Sequence, residues 1–191
     1  MRMSERFDRA LETASRLHRE QMRKGTEIPY VSHLLGTCSI ALEYGANEDQ
    51  AIAALLHDVL EDVESIETAR AEVAAFGPDV LRTVKGCTDT EERPKPLWRP
   101  RKEAYVARVP REDRAILLVS ASDKLHNARA ILRDLRAHGD AVWSRFNAGR
   151  DGQLWYYRAL VSAFRANPEH REELIGELER TVLEIERLAG L

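Results

Sequence analysis

The sequence predicts an all-α fold, and three observations carry that expectation. Apolar residues recur at three- and four-residue spacing through most of the chain, helix caps and stops punctuate those stretches, and no run alternates with the two-residue period of a strand. At 191 residues, 43% hydrophobic and 32% charged, the chain can bury one sizeable core and is short for two. A single compact domain over 1–191 is therefore expected.

Phe7, Ala10, Leu11, Ala14 and Leu17 repeat at helical spacing behind a capping Ser4, which predicts a first helix to about Met22. Arg23 to Val31, with Gly25 and Pro29, reads as a loop that delivers His33 to the start of a second helix, and Gly45 ends that helix. Asn47 with Gln50 has the form of a capping box opening a third helix, whose far end carries His57-Asp58-Val59-Leu60-Glu61-Asp62. A fourth helix is expected from Ile66 to Phe76, with Gly77 as its stop and Pro78 starting the fifth.

Thr88 to Pro100 is the least regular segment. Pro94, Pro96 and Pro100 lie there among Arg93, Lys95, Arg99, Arg101 and Lys102 around Trp98, which reads as a mobile basic loop, either solvated or acting as a lid. A long helix is expected from Glu112 to Arg136, with Asp123 near its middle and Gly139 closing it. Trp143 to Gln153, with Gly149 and Gly152, reads as a loop before a helix holding Trp155, Tyr156, Tyr157 and Leu160. Asn167-Pro168 then caps a last helix over 168–189, whose stripe of Leu174, Leu178, Val182, Ile185 and Leu188 suits packing or an oligomer contact.

Composition excludes some functions. The net charge of −3 argues against a nucleic-acid binder, which needs a basic domain or stripe. No stretch reaches the roughly 18 apolar residues of a membrane span, and Met1 to Lys24 has no signal-peptide core. The expected location is the cytoplasm, with this segment as the mature start and no membrane partner. Cys38 and Cys87 have neither metal-type spacing nor the density of a disulfide framework, and read as reduced packing residues.

The hexapeptide from His57 to Asp62 concentrates the chemistry. On a continuous helix turning about 100° per residue, Glu61 lies about 40° from His57 and Asp62 about 40° from Asp58, so the four groups share an arc of roughly 140°. Ile52, Leu56, Val59 and Leu60 fall opposite, while Ala51 and Ala54 within the arc are expected to leave space for an ion and part of a substrate. His33 and Asp123 supply two more groups. Two imidazoles and two carboxylates suit manganese, iron, cobalt or zinc better than magnesium or calcium. Taken singly, His33 reads as a packing histidine, and Asp123 as a carboxylate that Lys124 or an arginine would satisfy nearly as well as a metal.

The order His33, His57-Asp58, Asp123 on a helical frame resembles the HD superfamily of metal-dependent phosphohydrolases. Arg23-Lys24 with Pro29-Tyr30-Val31-Ser32-His33, the hexapeptide, and Asp123-Lys124-Leu125-His126-Asn127 are similar to the hydrolase domain of the Rel/Spo alarmone enzymes and to the stand-alone small alarmone hydrolases, over about Phe7 to Phe164. The resemblance implies removal of the 3′-pyrophosphate of ppGpp, with His33, His57, Asp58 and Asp123 holding one Mn²⁺. It assigns Glu61 and Asp62 to the attacking water or leaving group, Arg23, Lys24 and Asn127 to the nucleotide, and Tyr156, or Tyr157, to the ribose. Leu34 stands where the family usually has proline, Ser122 where it has alanine, and Ala128 where it has leucine. The stretch from His138 to Gln153 is longer than in the compact hydrolases and carries Arg145, Asn147 and Arg150, which can reshape the pocket. Another phosphorylated nucleotide or cofactor as substrate, or a sensor that binds without cleaving, are the competing readings. Oligomeric state stays open, with a homo-oligomer allowed.

Overall fold

The computed structural model describes residues 2–191. In order they form α1 (Glu5–Leu17), α2 (Val31–Glu43), α3 (Glu48–Leu56), α4 (Val59–Asp62), α5 (Ile66–Ala74), α6 (Pro78–Cys87), α7 (Trp98–Arg108), α8 (Arg114–His138), α9 (Gly149–Arg165) and α10 (Glu172–Leu188). Short 3-10 segments lie at Val109–Arg111 and Gly139–Arg145. Among the described residues the β pairing is one isolated bridge, Met22 to Pro29, so the class is all-α as expected.

The centre of the molecule is α3. Ala51 to Leu56 are all fully buried, and α1, α2, α6 and α8 pack around them. A helix apolar on every side can be stable only when surrounded, and alanines at three of these six positions let the neighbours approach closely. The 25 residues of α8 make it roughly 37 Å long, enough to cross the whole domain. Its companion α10 lies along it and against α9, burying Leu174, Ile175, Leu178, Val182 and Ile185.

The caps do the work read from the sequence at three starts. Ser4 accepts from the Arg6 N–H, Asn47 and Gln50 form the reciprocal capping box at 2.9 Å each way, and Pro78 occupies the first turn of α6 after Gly77, whose φ of +107° suits glycine. Asp113 adds one that was not read, accepting from Ala115 and Ile116 at the start of α8.

Several boundaries differ from expectation, each for a local reason. Helix α1 stops at Leu17, not Met22, because the main chain from Gln21 to Tyr30 pairs with itself: Tyr30 N–H donates to Gln21 O at 2.9 Å and Arg23 N–H to Ile28 O at 2.8 Å. The third helix stops at Leu56, so the hexapeptide is divided between a turn and the single-turn α4. The fourth helix ends at Ala74 rather than Phe76. Trp98 and Pro100 belong to α7, an element absent from the sequence reading. Proline is tolerated there because the first helical turn needs no amide donor. Gly149 and Gly152 open α9 instead of forming a loop, and α10 begins at Glu172. Asn167 does not cap α10. Its amide donates to the carbonyls of Val109 and Glu112, at 3.1 and 2.9 Å, and ties the α9–α10 turn to the entrance of α8.

Candidate active site

Three parts of the chain bring the predicted polar groups together. His33 lies in the first turn of α2, His57 and Asp58 in the turn between α3 and α4, and Asp123 in the middle of α8. The break after Leu56 changes the expected geometry. His57 and Asp58 face His33 and Asp123, whereas Glu61 and Asp62 engage a different set of partners, so the six-residue motif does not present one continuous arc. Ala51 and Ala54 are fully buried in the core and do not line the cavity described below.

His33, His57 and Asp58 offer ligand atoms that all lie within 4.8 Å of one another. Asp123 Oδ1 is 3.2 Å from His33 Nε2 and 3.6 Å from His57 Nε2, while Asp58 Oδ2 is 3.4 and 3.0 Å from the same two nitrogens. The two imidazoles are 1% and 2% exposed, yet His57 Nε2 has no hydrogen bond of acceptable geometry. Buried polar atoms that converge without bonding one another are the arrangement a cation would complete, so the residues fit a divalent metal with two nitrogen and two oxygen donors.

Partners behind the cluster fix its orientation. The Ala54 carbonyl lies 2.8 Å from His57 Nδ1, and the Tyr30 hydroxyl donates to Asp58 Oδ2 at 2.7 Å. Asp123 Oδ2 takes Lys124 at 2.5 Å, and Oδ1 accepts from the Asn127 amide at 2.5 Å. Without metal, burial opposes charge on His57, but Asp58 and Asp123 draw its pKa well above that of free imidazole. Burial likewise opposes ionisation of Asp58 and Asp123; for Asp58 the charge of the nearby His57 leads the opposing effects, for Asp123 that of Lys124, and both carboxyls stay well below the usual carboxylate range.

Glu61 and Asp62 stand one helical turn further on. Glu61 accepts from the Asp89 N–H at 2.9 Å, Asp62 accepts from Gln21 at 2.8 Å, and Lys95 Nζ lies 3.6 Å from both carboxylates. Burial, reinforced by the Asp89 and Asp58 charges, pushes the Glu61 carboxyl up to about 7. Arg93 donates to the Leu60 and Glu61 carbonyls at 3.0 and 2.8 Å, so the segment read as a mobile basic loop is strapped to α4.

A cavity of about 530 Å³ includes Arg23, Lys24, Asn127, Tyr156 and Tyr157, all anticipated, in its lining. Arg23 donates to Asn127 Oδ1 at 2.6 Å, which links the cavity wall through Asn127 to Asp123. Tyr156 is buried and its hydroxyl has no partner, which leaves it available to a ligand. Sequence reasoning did not place Lys102, Lys124, Arg133, Trp98 or Phe146 on this lining. Their signal is weak, since a lysine in a charged stretch looks ordinary until tertiary packing buries it. Asp134 is the one carboxylate in the lining, and it pairs with Arg133 and Arg145 at 2.8 and 2.7 Å.

The HD domain family model matches residues 10–154, well over half of the chain and including all four clustered residues. The chain belongs to the HD domain family. It is an HD phosphohydrolase, a class that implies a divalent metal, and the His/Asp cluster offers ligand atoms that fit one. Over 181 residues it is 30% identical to the guanosine-3′,5′-bis(diphosphate) 3′-pyrophosphohydrolase MESH1 of Drosophila melanogaster, covering 93% of this chain and 94% of that one. It is 32% identical to the enzyme of the same activity from Aquifex aeolicus over 128 residues, which is 67% of this chain and 18% of that longer one. Among solved structures, a metazoan ortholog of SpoT described as hydrolysing ppGpp superposes with a TM-score of 0.76 at 29% identity, covering 100% and 99% of the two chains. The departures of this HD domain from the Rel/Spo pattern are absorbed by the core: Leu34, Ser122 and Ala128 are fully buried, with Ser122 Oγ bonded to Leu118 O at 2.8 Å.

Proposed function

We propose that this chain is one HD domain that hydrolyses guanosine 3′,5′-bis(diphosphate) to GDP and pyrophosphate with Mn²⁺ as its metal. The observation that carries the reading is a His/Asp cluster beside a cavity lined by Arg23, Lys24, Lys102, Lys124, Arg133 and Arg145, a surplus of cations suited to a substrate with more than one phosphate group. The similarity to MESH1 across nearly the full length supports it.

Bound at His33, His57, Asp58 and Asp123, a divalent ion would polarise a phosphoryl oxygen and bring a water toward ionisation near neutral pH. The chain's own groups then have distinct duties. Water adds to the phosphorus on the 3′ oxygen, the P–O3′ bond breaks, pyrophosphate departs and the 3′ oxygen takes a proton. Glu61, with its carboxyl near 7, takes the proton from water, since a base works best when its pKa lies close to the working pH. Asp62, held by Gln21, positions that water or serves the leaving oxygen. Lys102 and Lys124 offset charge accumulating on the phosphoryl group, and Arg23, Lys24, Asn127 and Tyr156 hold the nucleotide.

One observation favours a different phosphorylated nucleotide. Among the described lining residues the sole carboxylate, Asp134, is already engaged by two arginines, so no free acid reads a guanine edge. The test is turnover by metal-stripped protein with added Mn²⁺, comparing ppGpp with NADPH, 3′-nucleotides and dNTPs. The proposal expects ppGpp to be the preferred substrate and hydrolysis to disappear in Asp58→Ala and Glu61→Ala. Unchanged hydrolysis in both variants overturns the catalytic assignment.

A further inference from the structure

His57 has its tautomer fixed by main chain: a carbonyl can only accept, so Nδ1 carries the hydrogen and Nε2 keeps its lone pair for the cluster. His33 has no such carbonyl. Its Nε2 points at Asp58 and Asp123, but its Nδ1 faces another imidazole nitrogen, His126 Nδ1, at 2.9 Å, with Thr37 Oγ1 more distant at 3.5 Å. Two facing ring nitrogens form a bond only when one donates and the other accepts. For His33 to offer an Nε2 lone pair, its Nδ1–H must donate and His126 Nδ1 must accept.

The place His126 occupies is made by a second residue. A Cβ added to Gly36, in the body of α2, would fall 2.2 Å from both Cδ2 and Nε2 of the His126 ring. Glycine weakens a helix interior, and this one leaves the volume that the imidazole fills. The ring centroids of His33 and His126 are then 4.9 Å apart.

We propose that His126 is a positioning residue that sets the tautomer and ring plane of His33, and that Gly36 is the α2 residue that admits it. This rests on the metal-site reading above. Partners of this kind behind a ligating histidine typically change metal affinity by about 10- to 100-fold when removed.

The test is Mn²⁺ titration of metal-stripped protein by electron paramagnetic resonance, in the absence of substrate, with helix content and thermal unfolding followed in parallel. His126→Phe keeps a ring without an acceptor and should weaken Mn²⁺ binding about 10- to 100-fold. Gly36→Ala should do the same by displacing the ring. His126→Asn, whose amide oxygen can accept where Nδ1 did, should restore near-native affinity, a rescue that a purely space-filling role does not predict. His33→Ala is the control for the site itself. Native affinity in His126→Phe alongside lost affinity in His33→Ala overturns this proposal alone, including the case where only KM changes and His126 is a substrate contact. Native affinity in His33→Ala overturns the metal-site reading and this proposal with it.

Discussion

Asp123 is held on both sides. Lys124 bonds one carboxylate oxygen, and the other faces His33, His57 and the Asn127 amide. Asn127 also accepts from Arg23, so a nucleotide that draws on Arg23 acts on a metal-facing oxygen through one intervening side chain. Asn127→Ala should therefore raise KM and weaken Mn²⁺ binding together, whereas Lys24→Ala should raise KM alone, which steady-state kinetics with a metal titration separates. Glu61→Gln should lower kcat by about 10²- to 10⁴-fold while leaving Mn²⁺ bound. In the native protein a base titrating at about 7 must lose its proton to act, so kcat should rise as pH increases through that value. The four clustered residues stood out in the sequence through their order and the resemblance it carries, since singly His33 reads as a packing residue and Asp123 as a carboxylate that Lys124 could satisfy. Lys102 and Lys124 carried no such signal, since lysine in sequence gives no sign of whether its ammonium will be buried.

Among the elements, α7 shows where sequence periodicity runs out. Pro100 and the surrounding arginines resemble loop composition, yet Trp98 packs edge-on against Trp155 and Tyr156, and Arg99 lies 3.4 Å over the Trp155 ring. Tertiary packing decides what local pattern leaves open. The same helix anchors the preceding segment: Asp89, with a side chain 2% exposed, pairs with Arg101 and with Lys102 at 2.6 Å. Burial alone would raise the Asp89 carboxyl, but the Lys102 charge and the bonds from Arg101 and Lys102 outweigh it and hold the group well below the usual range. A carboxyl with a depressed folded pKa adds stability above its unfolded value of about 3.9 and loses it as pH falls toward the folded one. Asp89→Asn should cost about 3 kcal/mol near neutrality, and the deficit should shrink below about pH 4, measurable by denaturant titration across pH. The starts of α1, α3 and α6 were readable because their signals, two side-chain caps and a Gly-Pro pair, are local. The end of α1 depends on the main-chain pairing between Gln21 and Tyr30, which helical periodicity does not reveal, and was not.

Over the whole molecule, the cluster joins α2, the α3–α4 turn and α8, elements far apart in sequence. Metal binding to the folded state alone should therefore stabilise the entire domain. Mn²⁺ at about 100 times its Kd should add about 2.7 kcal/mol, seen as a raised Tm that is absent in His57→Ala. The fold class was legible from periodicity and punctuation. The cation-lined cavity was not, because it is assembled from α7, α8, α9 and the segment before α2 only when the chain is folded.

An alarmone hydrolase is defined by which bond it cuts and what leaves. The most direct measurement is a product analysis of purified, Mn²⁺-loaded protein with ppGpp, separating nucleotides by ion-exchange chromatography and distinguishing pyrophosphate from orthophosphate. GDP and pyrophosphate are expected in equal amounts, with neither formed by His57→Ala. Orthophosphate as the released group, or intact ppGpp alongside demonstrated metal binding, would contradict the proposed function.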